Sequence, residues 1–308
     1  MLKIFIVGML CIGLGIFLLT GCTMNGLQKF EAKHYTAQTL FQNIVIEDDT
    51  TNINILPSND GICKIDYMES KQTTYEINVS ENTLSIKLID NTSWYHNLFN
   101  FGSISINIYL PQADYQNLTI DTTTGNVNVS QALSFNDVKI DLSTGNASVK
   151  SAVSGELSIH TSTGNVTVGN ASPTSVTLQT STGNISATAI HTSGTFYAKS
   201  TTGNQSYTDV SCQSSQLQTS TGNIRMVNLV SADHLKASTS TGNIFFDNCD
   251  AATLDVDTVT GNVNGTLRTP KIIYATSDTG KISIPHLTEG GLCEITTDTG
   301  NIKISIVE

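Results

Sequence analysis

The chain is short of charge. Asp, Glu, Lys and Arg make up 13% of its 308 residues, about half the usual share. Basic residues are scarcer still, 15 against 26 acids, for a net charge of −11. That balance excludes the electrostatic footprint of a nucleic-acid binder, so no nucleic-acid partner is expected. Five prolines and 23 glycines rule out a collagen-like or proline-rich chain. The cysteines follow no C-x-x-C spacing, so no thiolate metal site is expected. Hydrophobic residues at 39% are too many for a disordered chain. What remains is Thr, Ser and Asn, a composition that disfavours helix.

Those residues recur with a period. Thr-Gly appears with Gly at 125, 145, 164, 183, 203, 222, 242, 261, 280 and 300, spaced 19 or 20 residues apart. Nine of the ten glycines are followed by Asn, and Lys281 is the exception. Each unit reads like Val176-Thr177-Leu178-Gln179-Thr180-Ser181-Thr182-Gly183-Asn184-Ile185-Ser186-Ala187. Alternation on both sides of the glycine marks two short strands, each with one buried face. Inward positions are odd before the glycine and even after it, so the parity flips and Thr-Gly-Asn is a corner. Glycine tolerates positive φ there. The fold class expected is all-β: a single parallel β-solenoid (β-helix) of about 19–20-residue coils, stacked about 4.8 Å apart. The stacked asparagines would form a ladder along the axis.

The regular solenoid covers 118–308, with coils stacked in chain order. Residues 43–55 align without gaps on 117–129, with Thr51 in place of the glycine. Degenerate first coils and a cap therefore occupy 42–117, and strand-like runs lie at 62–67, 75–79, 84–89 and 104–110. Residues 22–117 hold 11 aromatics, against 7 in the 191 residues that follow, so the N-terminal cap is aromatic-rich. The loop 93–103 carries Trp94, Tyr95, Phe99 and Phe101. These four are candidates for partner contact, and a plug for the solenoid's open end is the other reading. At the far end the last edge carries Lys303 and Glu308, charges that discourage end-to-end pairing.

Residues 1–21 read as an export signal, with Lys3 before the apolar run Ile4–Leu19. Leu19-Thr20-Gly21-Cys22 resembles a bacterial lipobox. The resemblance implies cleavage before Cys22, acylation of that residue with chains such as palmitate, and a tether over 22–41. The mature chain would then be held on the extracytoplasmic face of the cell membrane, at the cell surface. The lipobox, the Thr-Gly-Asn coils and the segment Trp94-Tyr95…Phe101-Gly102-Ser103…Tyr109-Leu110-Pro111 together resemble the bacterial putative-adhesin β-strand-repeat family, also described as the toastrack domain. That resemblance covers roughly 42–308. It implies an envelope-associated, non-catalytic role in adhesion, binding or assembly, with cell-wall glycan, host matrix or an envelope protein as partner. Envelope-stress signalling through membrane partners is the alternative it leaves.

Catalysis has little support in the outward columns. Four before the glycine stand Asp121, Asp141, His160, Gln179, Lys199, Gln218, Ser238, Asp257, Thr276 and Thr296. No column pairs carboxylates with bases as acid–base work requires. A carbohydrate-active β-helix enzyme, the weakest reading, would rest on Asp257 or Asp278. Asp278 and Asp298 share a position in neighbouring coils, with Asp257 and Asp255 expected one coil away, and are the one calcium candidate. Two solvated aspartates beside Lys281 is the simpler reading, so no cofactor is expected. Thr three and one before the glycine in seven of ten coils raises ice binding, but the parity turns those positions inward or along the corner. Cys212 and Cys249 fall two coils apart, too far for a disulfide.

Overall fold

The computed structural model describes residues 29–90 and 104–307. Among them the chain forms 25 β-strands, numbered in chain order, and no helix. The strands make one sheet wound into a parallel β-solenoid. The repeat fixes the register. The strand Ser175–Thr182 has Leu157 opposite Val176 on one side and Ala198 opposite Leu178 on the other. Five before the glycine, every residue from Ile120 to Ile295 is at most 1% exposed apart from the half-buried Ala275. This column is one stripe of a core that runs the length of the rod.

The corner departs from the expected parity at one place. Residues three before the glycine point inward, as with Thr161, Thr180 and Thr258. Residues two and one before it are both exposed. The buried threonines have a task. Thr180 Oγ1 donates to the Gly164 carbonyl at 3.0 Å, Thr239 to Gly222 at 3.1 Å and Thr258 to Gly242 at 3.0 Å. A buried hydroxyl thus meets a carbonyl that the tight corner leaves with a free lone pair.

Outside the corner the asparagines form the expected ladder. Asn126 Oδ1 accepts the Asn146 backbone N–H at 3.0 Å and its Nδ2 at 2.9 Å. The backbone step continues through Asn165, Asn184, Asn204, Asn223, Asn243 and Asn262 to Asn301. Each asparagine therefore satisfies the corner N–H of the next coil. Removing one from an exposed site forfeits about 1 kcal/mol, because water takes over part of the bond. Asn184→Ala should lower the melting temperature by roughly 2–4 °C, read by circular dichroism; no shift would show the ladder to be idle.

A second corner follows six residues after the glycine, and periodicity alone does not reveal it. Asn170, Ala189, Asp209, Asn228 and Asn248 hold φ between 54° and 59° there. Asn and Asp enter this left-handed region more easily than other non-glycine residues. Ala189 is the misfit. Ala189→Asn should stabilise the protein by about 0.5–1 kcal/mol, seen as a rise in melting temperature. Asn228→Ala should lower it. An equal response at both positions would deny the conformational origin.

At both ends the stacking order differs from chain order. β2 (Asn43–Asp48) and β3 (Asn52–Pro57) pair with β8 (Asp114–Thr124) and β9 (Val127–Val129) in the register expected from sequence. They do not start the stack, however. β6 (Thr83–Asp90) and β7 (Ser105–Leu110) lie outside them. β5 (Thr73–Ser80) pairs antiparallel with β6, and β4 (Lys64–Glu69) joins β7 to β1 (Glu31–Thr36). This cap leaves Leu84, Ile86, Ile106 and Ile108 fully buried.

The other end mirrors the exchange. β24 (Gly291–Thr299) and β25 (Ile302–Ile306) slot in after the Gly261 coil. β22 (Lys271–Thr279) and β23 (Ile282–Ser283) then lie outermost. The last edge therefore carries Asp278 and Lys281, not Lys303. The order also accounts for the one corner that lacks Asn. The Lys281 N–H donates to Asn301 Oδ1 at 2.9 Å, but no further coil needs an acceptor from residue 281. A lysine there costs the ladder nothing and places charge on an open edge.

Candidate functional site

Cys22 and the aromatic loop residues Trp94, Tyr95, Phe99 and Phe101 lie outside the described residues. Asp278 and Asp298 are exposed neighbours in β22 and β24. The exchange of coils separates Asp257 from Asp278, since the Asp298 coil stands between them. That puts Asp257 and Asp278 about 10 Å apart along the axis. Asp257 is the strained member of this face. Partial burial raises its pKa first, and the charges of Asp255 and Asp298 add to the rise. Asp255 is itself paired with Lys236. Among the described residues no cluster of three or more His, Cys, Asp or Glu is placed to hold a metal ion.

The four described cysteines, Cys63, Cys212, Cys249 and Cys293, are buried and form no disulfide. Cys212 meets Ser231 Oγ at 3.2 Å rather than another sulfur. Burial pushes the Cys63 and Cys293 thiols up to about 12 and that of Cys249 to about 11. Thiols so far from ionising behave as small apolar side chains, not nucleophiles.

The described surface is concave along the second corner. There a groove of about 410 Å³ is lined by His191, Asp209, Ser211, Asn228, Asn248 and Arg268, with Val210 and Val230 beneath. The left-handed backbone aims the corner side chains into one row. Asn228 Nδ2 donates to Asp209 Oδ1 at 2.7 Å, and Asn248 Nδ2 to Asn228 Oδ1 at 2.7 Å. Ser211 Oγ holds the His191 ring through Nδ1 at 2.8 Å. The Arg268 Nε–H donates to the Asn248 carbonyl at 2.8 Å. Sequence reasoning passed over this row, although three asparagines and an aspartate six after the glycine were its signal.

Solved structures match the chain at low identity. A structure described as a putative adhesin from Parabacteroides merdae is 14% identical, with 78% of this chain and 97% of that chain covered and a TM-score of 0.47. A putative adhesin from Parabacteroides distasonis is 12% identical, covering 91% and 98%, with a TM-score of 0.45. One from Bacteroides fragilis is 15% identical, covering 92% and 99%, with a TM-score of 0.37. No curated protein matches the chain. The family model described as Toastrack DUF4097 matches residues 41–204 and 191–308. Those two matches take in every Thr-Gly coil from both sides of the shared segment, and the chain belongs to the Toastrack DUF4097 family.

Proposed function

We propose that this is a bacterial surface lipoprotein whose solenoid binds or adheres without catalysis. The observation that carries this reading is the placement of the chain entry. β1 joins the outermost N-terminal layer through β4 and β7, so the described chain enters the stack at that end. A lipid on Cys22 would fix that end at the membrane. The twelve layers of the described strands, separated by about 4.8 Å, then project about 50 Å outward. The faces so displayed are polar and solvated, and cell-wall glycan, host matrix or an envelope protein would meet them first.

Two measurements test this. Cys22→Ser should move the protein from the membrane fraction to the soluble one. Beads coated with the mature chain should be retained on purified cell wall or matrix without releasing sugar ends. Retention no better than bare beads would overturn the adhesive reading, and released sugar ends would overturn the non-catalytic one.

A further inference from the structure

We infer that the groove along the second corner is a binding site for a neutral glycan strand lying parallel to the rod axis. The inference rests on the adhesive reading above and names its ligand class and its place.

The groove is preorganised. Three consecutive corner side chains, Asp209, Asn228 and Asn248, are locked by hydrogen bonds of 2.7 Å to one another. Their backbones sit at φ 54°, so the row does not have to be ordered when a ligand arrives. Bonding capacity is left over on the outer side. Asp209 has a second carboxylate oxygen and Asn248 its side-chain amide oxygen. His191 has Nε2, and Arg268 keeps its terminal nitrogens after Nε is used. Donors and acceptors thus alternate along the groove.

The chemistry selects among ligands. One acid and one base, Asp209 and Arg268, leave the groove close to neutral, within a chain of net charge −11. A polyanion would find no excess of cations there. A protein partner would look for an apolar centre with aromatic anchors; the lining offers only Val210, which is buried, and the half-buried Val230. A hydroxyl-rich chain needs mixed donors and acceptors at short, regular intervals. The coils supply them every 4.8 Å or so, about the length of one pyranose in an extended strand. From His191 to Arg268 the groove crosses five coils, about 19 Å, room for three or four sugar units.

The test titrates the full-length protein in detergent micelles with chitohexaose, cellohexaose and, as the anionic arm, a heparin hexasaccharide, read by calorimetry. At least one neutral hexamer should bind. Asn228→Gly, which keeps the left-handed backbone, and Arg268→Ala should each weaken it tenfold or more. Gln216→Ala, six before Gly222 and outside the groove lining, should leave it unchanged, and circular dichroism should show all variants folded. No binding of either neutral hexamer, equal binding by the groove variants, or preference for heparin would each overturn the inference. Wild-type beads that are still retained on cell wall while no hexamer binds would sink the groove and spare the adhesive reading. Hexamer binding without retention would do the reverse.

Discussion

Gly183→Val should destabilise the protein by about 3–6 kcal/mol, lowering the melting temperature by roughly 10 °C or more. A Cβ on Gly183 would stand 1.9 Å from the Gly164 carbonyl oxygen and 2.5 Å from its carbon. That obstacle is backbone, held on the ladder by its neighbours, so it cannot swing aside as a side chain would. The same oxygen accepts the Thr180 hydroxyl, so displacing it also strands a buried donor. The φ of 153° adds strain, but the contact is the larger part. Two glycines separate the causes. Gly169 has no positive φ, and its nearest obstacle to a Cβ is 3.4 Å away, so Gly169→Ala should be neutral or mildly stabilising. Gly61 has φ 72° and open space, so Gly61→Ala should show the conformational cost alone, about 1 kcal/mol. A Gly183 variant that melts with the wild type would refute the close approach of coils at the corner.

The corner explains how much of the fold was legible. Its Thr-x-Thr-Gly-Asn sequence carries three separate physical demands: a hydroxyl three before the glycine for a carbonyl, no Cβ, and an amide for the next N–H. Each demand recurs in most coils, so each leaves a column in the sequence. What recurs only partly was harder to read. The second corner tolerates Asn, Asp and even Ala189, because the left-handed region costs non-glycine residues only about 1 kcal/mol. The order of the end coils was hidden for another reason. The Gly280 and Gly300 coils have the same period and the same inward pattern, so exchanging them changes no column. Lys281 was the one available clue, since only the outermost coil can dispense with its asparagine. Thr51 tells the same story at the other end. Its hydroxyl lies 2.9 Å from the Tyr75 hydroxyl of β5, where a regular coil would stack a corner glycine. The candidate groove was missed because it is built by the second corner, not by the repeat motif that drew attention.

The exchanged C-terminal coil needs its own fastening, and Lys271 provides it. Lys271→Met should cost about 3–5 kcal/mol, the usual penalty for removing one partner of a buried ion pair. The Lys271 side chain is 5% exposed and reaches Asp250, 16% exposed, at 2.6 Å. Asp250 Oδ1 also accepts the Ala251 N–H at 2.9 Å and the Thr269 hydroxyl at 3.1 Å. The bridge spans an intervening layer. Lys271 stands opposite Gly291 in β24, and a Cβ on Gly291 would come within 3.6 Å of the lysine stem and 2.0 Å of the Ala252 carbonyl. A glycine at 291 leaves the passage open. Because each coil contacts only its neighbours, the damage should stay local. Amide exchange should accelerate first across residues 271–283 in the variant, while the strand 175–182 stays protected. Adding Asp250→Leu to Lys271→Met should recover much of the loss, since an apolar pair leaves no charge buried alone. If the single variant exchanged uniformly along the whole rod, the ion pair would be holding up the entire fold. If its amides exchanged like the wild type's, the terminal coil would need no such tie.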